Sequence, residues 1–159
     1  MTASAGVSPA AGAAAEPTPP PQPLPDVDSE PFWAAARDGR LALCRCRDCR
    51  GWLQPPLERC RRCGGETGFE TASGTGEVYS YIVIRHPSVP AFAHLLPYVV
   101  ALVDLAEGVR MPGRLVGIEP TEVRIGQQVQ VDFETLPGAT APAVVFRTVD
   151  SITHLRYIS

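Results

Sequence analysis

The sequence predicts a mainly β protein: a short N-terminal helix, a compact metal-binding cysteine ribbon, then a small closed barrel. Three observations lead there. Two C-x-x-C pairs, Cys46 with Cys49 and Cys60 with Cys63, fall within eighteen residues. A succession of Val-, Ile- and Tyr-rich segments bounded by Gly, Pro and Asp runs from Gly76 to Val149. One short helical stretch lies between a capping signal and a glycine.

Composition frames these elements. A chain of 159 residues that is 45% hydrophobic has enough apolar mass for one ordinary core. Residues 1–27 read as a disordered arm, because Ala, Pro, Thr and Ser dominate it and Pro19-Pro20-Pro21 lies inside it. It has no basic stretch leading into an apolar one, and no 18 apolar residues run together anywhere, so a soluble, cytoplasmic protein without membrane association is expected. Net charge is −3, which argues against general polyanion binding, and all fourteen basic residues are arginine. Seven of them lie between Arg40 and Cys63 beside two acids, a patch suited either to phosphate or to offsetting a thiolate cluster.

Taken in order, Asp28-Ser29-Glu30-Pro31 is a helix start, with Ser29 or Asp28 as cap and Pro31 in the first turn. The helix runs through Phe32-Trp33-Ala34-Ala35-Ala36-Arg37 and stops at Gly39. At under three turns it needs a surface for Phe32, Trp33 and Ala36: the chain's own core or an adjacent subunit. Leu41-Ala42-Leu43 leads into the ribbon, Gly51 to Pro56 crosses between the cysteine pairs, and Phe69-Glu70-Thr71 leaves it. Barrel strands are expected at Gly76–Arg85, Tyr98–Leu105, Val109–Val116, Gln128–Glu134 and Ala143–Val149, with a sixth segment at Ile152–Tyr157. The first two are too apolar for a sheet with one wet face, which points to closure. Ala106-Glu107-Gly108 is a hairpin loop, Arg124-Ile125-Gly126 a turn, and His86–Pro97 a long excursion, as in a five-stranded OB-fold barrel. The chain thus divides into arm (1–27), helix (28–40), ribbon (41–72), barrel (73–150) and C-terminal tail (151–159).

Each C-x-x-C turns two thiolates toward one ion, and two such knuckles make a closed tetrahedral site that leaves no position for water or substrate. Cys46, Cys49, Cys60 and Cys63 are therefore expected to hold a structural zinc, with iron in a rubredoxin-like site the weaker alternative. Disulfides are disfavoured in a chain of this character. Cys44 cannot join a knuckle through C-x-C and reads as a small buried residue.

The order Phe32-Trp33, Gly39-Arg40-Leu41, the two knuckles separated by Pro55-Pro56, Gly74-x-Gly76-x-Val78-Tyr79-Ser80, Pro90-Ala91-Phe92, Pro97 to Val103 and Arg124-Ile125-Gly126 resembles a known family. It is the family of acyl-CoA-associated proteins with a rubredoxin-like zinc ribbon and an OB barrel, catalogued as a domain of unknown function. The resemblance covers Ser29 to about Arg147. It implies a non-catalytic partner of a thiolase-like aldolase or acyltransferase, or of a MaoC-type hydratase, sharing an acyl-CoA ligand with that partner, in some bacteria during steroid side-chain removal. One departure stands out: Arg50, then Gly51, follows the second ligand where the family has glycine directly.

Three functions remain for comparison with the structure. The first is that accessory subunit, required by an acyl-CoA lyase or transferase but with no catalytic residue of its own; the apolar His86–Pro97 loop, with Phe92, His94, Leu95 and Leu96, would line a channel or partner surface, or plug the barrel. The second is a single-stranded nucleic-acid binder using Tyr79, Tyr81 and Phe133. It is disfavoured, because acids outnumber arginines from Thr71 onward. The third is a self-contained enzyme using His86, His94 or His154 with Asp104 or Glu134, for which no motif speaks.

Overall fold

The computed structural model of the protein describes residues 18–87 and 89–149. The sixth β segment at Ile152–Tyr157, His154 and the 151–159 tail lie outside the described residues, as does the first part of the arm.

The elements are α1 (Glu30–Arg37), β1 (Ala42–Cys46), β2 (Trp52–Leu53), β3 (Thr67–Thr71), β4 (Thr75–Ile84), β5 (Tyr98–Leu105), β6 (Arg110–Val116), β7 (Gln128–Glu134) and β8 (Ala143–Thr148). Helix α1 ends as expected, at Gly39 with φ +70°, a left-handed turn that glycine adopts without strain. Its start differs from expectation. Ser29 precedes the helix but gives it no side-chain cap. Its hydroxyl donates instead to Asp26 Oδ1 at 2.6 Å, while the Ser29 amide donates to the same oxygen at 2.8 Å, closing a turn upstream. Asp26 outcompetes the helix for the serine because a carboxylate accepts both donors at once.

Strands β2-β1-β3 form the ribbon sheet, and β4-β5-β6-β8-β7 close into a barrel. The β6–β8 pairing is parallel and the others are antiparallel. This is the strand order of an OB barrel, reached by the five expected strands.

Ribbon and barrel are joined by β1, which is buried on both faces. Leu41, just before it, and Leu43 enter the barrel core with Val78, Val99, Val103, Val129 and Phe146. Cys44 and Cys46, on the opposite face by the period of two, pack with Leu53 and Cys60 in a second cluster. Helix α1 closes this end: Ala35 and Ala36 are buried, and Phe32 packs against the barrel core. So the helix docks on its own chain, burying the face that an isolated helix of this length could not support.

Register in β4 is broken once. Val78 faces Val103 and Ser80 faces Leu102, which leaves Tyr79 unpaired in a bulge. Tyr79 and Tyr81 therefore do not share a face, contrary to the alternation the sequence suggests. Tyr79 is exposed, with the Arg110 guanidinium carbon 3.2 Å from its ring centre, whereas Tyr81 and Phe133 pack against the core. The stacking platform a nucleic-acid binder needs is thereby divided.

Two barrel ion pairs give a pH prediction. Hydrogen bonds from Arg110 hold Asp104 below its ordinary range, and hydrogen bonds from Arg147 do the same for Asp132, against partial desolvation in each case. A carboxylate with a lowered folded pKa stabilises the fold fully above its unfolded pKa of about 4 and loses that contribution as pH falls through the folded value. Asp132→Asn is expected to lower the melting temperature at neutral pH and to flatten its decline from about pH 5 to about pH 2. A variant curve parallel to that of the parent chain would show that the pair contributes nothing.

Candidate metal centre

The two knuckles are built alike. The Cys46 amide donates to Gly51 O and the Cys60 amide to Gly65 O, each at 2.9 Å and each spanning five residues. Inside each loop one residue takes a left-handed conformation, Arg50 at φ +58° in the first and Gly64 at φ +74° in the second. The sequence departure at Arg50 is thus a backbone one: arginine occupies a position suited to glycine, at a cost of roughly 1–2 kcal/mol. Against that cost, Arg50 donates to both Glu70 carboxylate oxygens, at 2.6 and 2.9 Å. Both side chains are substantially solvated, so this pairing offsets at most part of that cost. Arg50→Gly is therefore expected to leave stability unchanged or raise it by up to about 2 kcal/mol, read from denaturant midpoints. A marked loss would mean that the Glu70 contact dominates.

The four thiols expected to act together do meet: one sulfur from each of Cys46, Cys49, Cys60 and Cys63 lies within 4.8 Å of the others. The Cys46–Cys63 separation is 3.5 Å and the Cys49–Cys60 separation 3.6 Å. A tetrahedron with metal–sulfur bonds of about 2.3 Å has edges of about 3.8 Å, so the thiols stand close to where one ion would hold them. Backbone amides of Arg62 and Cys63 draw the Cys60 thiol down to about 6. The Gly65 amide favours the Cys63 thiolate too, yet hydrogen bonding with Cys46 and Cys49 and burial outweigh it and push that thiol up to about 11. Four thiolates this close need a cation among them, and an all-sulfur donor set selects zinc or iron over hard oxygen-seeking ions.

Around the thiols, Arg45 donates to Arg50 O at 2.9 Å and to Glu70 at 2.8 Å, and its guanidinium lies 4.5 Å from the Trp52 ring centre. Glu70 is held below its ordinary range by hydrogen bonds from Arg50 and then Arg45. Sequence reasoning missed Glu70. The available signal was that it lies one strand away from Arg45 near the end of an arginine-rich segment short of acids. Arg47, Arg59, Arg61 and Arg62 form no ion pair among the described residues, and Arg62 Nη1 lies 3.2 Å from where a Gly51 side chain would begin. Cys44, 2% exposed, packs beside Cys46 and Cys60 without being one of the four converging sulfurs, and its thiol contacts Leu57 O at 3.6 Å.

Among the described residues, those considered for catalysis are not joined in one hydrogen-bonded set. Asp104 is taken by Arg110 and Glu134 by Arg114, and no hydrogen bond among the described residues joins either acid to His86 or His94. His94 belongs to a 3-10 turn, Pro90–Leu95, in the long β4–β5 loop, and is exposed there.

Comparison with known proteins follows this geometry closely. Residues 33–70 match the family described as ChsH2, rubredoxin-like zinc ribbon domain, and residues 69–134 match ChsH2, C-terminal OB-fold domain. A solved structure described as Ltp2-ChsH2(DUF35) aldolase contains a chain that this one matches at 41% identity and TM-score 0.72, over 80% of this chain and 98% of that one. The chain belongs to the DUF35 family. A relative from Thermomonospora curvata, named "Probable enoyl-CoA hydratase alpha subunit", is 44% identical over 129 residues. Another from Mycobacterium tuberculosis, named "3-oxo-4,17-pregnadiene-20-carboxyl-CoA hydratase alpha subunit", is 34% identical over 118 residues. These matches cover 80% and 73% of this chain but 39% and 37% of the relatives, so the chain spans about two fifths of their length. Within the DUF35 family, then, this chain pairs a rubredoxin-like ribbon, its four cysteines positioned for a metal, with an OB barrel. No helix among the described residues is long and apolar enough to cross a membrane.

Proposed function

We propose that this protein is a non-catalytic accessory subunit that binds a thiolase-like aldolase or acyltransferase and helps form its acyl-CoA site. The observation that carries the reading is the match, at 41% identity and over 98% of its length, to a chain in a structure described as an aldolase of Ltp2 and ChsH2(DUF35). A MaoC-type hydratase is a further partner, and the names of the two hydratase subunits support work on CoA thioesters, including steroid side chains. Cys46, Cys49, Cys60 and Cys63 hold a structural zinc in this reading, and thiolate ligation suits the reducing cytoplasm.

Physical features of the barrel support a docking role. Pairing places Ile82 beside Val100 and Leu102 beside Pro112 on the outward side of β4-β5-β6. Ile82 is 60% exposed and Leu102 37%, an apolar strip where a solitary barrel would carry polar residues. Co-expression with a thiolase-like subunit is expected to yield a stable complex active on acyl-CoA, while the chain alone turns over none. Ile82→Asp is expected to weaken the complex at least tenfold without changing the chain's melting temperature. A chain that never co-purifies with such a subunit, or one that turns over acyl-CoA alone, would sink the proposal.

A further inference from the structure

Residues Thr18 to Pro25 have no helix or strand, yet they lie against the barrel instead of leaving it. Gln22 fixes them. Its amide nitrogen donates to Gly138 O at 3.2 Å and to Pro20 O at 2.6 Å, and its amide oxygen accepts from Thr140 N at 2.6 Å and from the Thr140 hydroxyl at 2.7 Å. Donors and acceptors of that side chain are all used. The receiving loop is shaped for the purpose: Leu136-Pro137-Gly138-Ala139 is a turn closed by the Ala139 amide on Leu136 O at 2.9 Å, with Gly138 at φ +77°. Proline then glycine at its two central positions is the signature of a type II turn. A side chain on Gly138 would begin 3.2 Å from Pro19 Cβ, so the strap passes directly over the glycine.

Beneath the strap runs an apolar groove. One stretch is walled by Trp33, Phe92, Leu136 and Pro142, the other by Pro90, Ala93, His94 and Leu136. Pro20 is buried and borders both, dividing the groove into clefts of about 350 and 130 Å³. A buried proline bordering a cleft lined by Trp33 and Phe92, with one polar side chain fixing the register, uses the physics by which polyproline segments are recognised, in which an already extended ligand loses little entropy on docking.

We propose that the groove between α1, the Pro90–Leu95 turn and the β7–β8 loop is a proline-reading site, filled in this chain by its own Thr18–Pro25 segment. The site is a property of the chain by itself and does not rest on the accessory-subunit reading. It reads Pro20 in the groove, Pro19 over Gly138 and Gln22 across the turn. While the strap is seated, Pro20 occupies the position between the two clefts that another proline-rich segment would need.

Hydrogen exchange at the Thr140 amide in the full chain reports the strap directly, with the Val78 amide of the barrel core as the folding control. Gln22→Ala and Pro20→Asp are each expected to speed Thr140 exchange at least tenfold, leaving Val78 unchanged. With the strap displaced in the Pro20→Asp chain, a synthetic peptide of residues 18–25 is expected to bind saturably, quenching or shifting Trp33 emission and restoring Thr140 protection. The parent chain should not respond to it. Thr140 exchanging as fast in the parent chain as in both variants would overturn the seated strap, and a peptide that binds neither chain would overturn proline reading. Complex formation with an enzyme partner enters neither readout, so failure here and failure of the accessory role are separate results.

Discussion

Replacing Cys46 and Cys60 together with serine, one ligand from each knuckle, is expected to abolish metal binding and unfold the ribbon. Elemental analysis should fall from about one zinc per chain to none, because two remaining thiolates cannot enclose the ion. The effect is the largest available in this molecule, since metal binding in small ribbons supplies about 10–16 kcal/mol of apparent free energy at neutral pH. With the ion gone, Leu53 and the buried Cys44 lose the cluster that covers them. The barrel should survive as a β structure by circular dichroism but melt at a lower temperature, because Leu41 and Leu43 enter its core from the frayed β1. Chelation of the assembled complex is expected to dissociate it before any chemical step changes. Full metal content in the double variant would remove these cysteines from the ligand set, and the visible absorption of a ferric thiolate site in the parent chain would replace zinc with iron.

Phe146→Ala should cost about 3–5 kcal/mol, a large part of a domain stability on the order of 10 kcal/mol. Phe146 is 0% exposed at the centre of the barrel core. The ring also explains Gly113, whose missing side chain would begin 2.6 Å from Phe146 Cε2. Gly113→Ala alone is accordingly expected to destabilise by about 1–3 kcal/mol through overpacking, and to cost clearly less in the Phe146→Ala background, where the cavity accepts the methyl group. Additive losses in a denaturant-based double-mutant cycle would show that ring and glycine do not share this space.

Much of the barrel is legible from local chemistry. The ends of β5 and β7 fall at the expected residues because Pro97 and the Gly126 turn mark their starts in sequence. The four thiols are equally legible, since C-x-x-C spacing by itself dictates which side chains turn inward. Features that depend on a partner distant in sequence are not. The bulge at Tyr79 exists only relative to β5, so alternation within β4 alone places Tyr79 and Tyr81 on one face. The Ser29 hydroxyl finds Asp26 by a competition that capping preference does not rank. The seat of the proline segment rests on Gly138 and Thr140, 116 and 118 residues beyond Gln22. Composition registers the segment's lack of helix and strand but not its contact.

Closure of the barrel restricts how this molecule can be held. Strand β4 bonds to β5 along most of its length but to β7 only over Thr75–Glu77, and β6 bonds to β8 only over Arg114–Val116, so among the described residues the ladders close the barrel over part of these strands and leave main-chain edge on the rest. A partner on the barrel meets side chains where the ladders close and short main-chain edges where they do not. The ribbon differs: β1 lies between its neighbours, and β3 stands at the sheet margin with five residues, Thr67–Thr71, bonded on one side only. The β3 margin differs in running the whole length of its strand and in lying beside the four thiols, so a strand added there would tie main-chain pairing to the order of the thiol cluster.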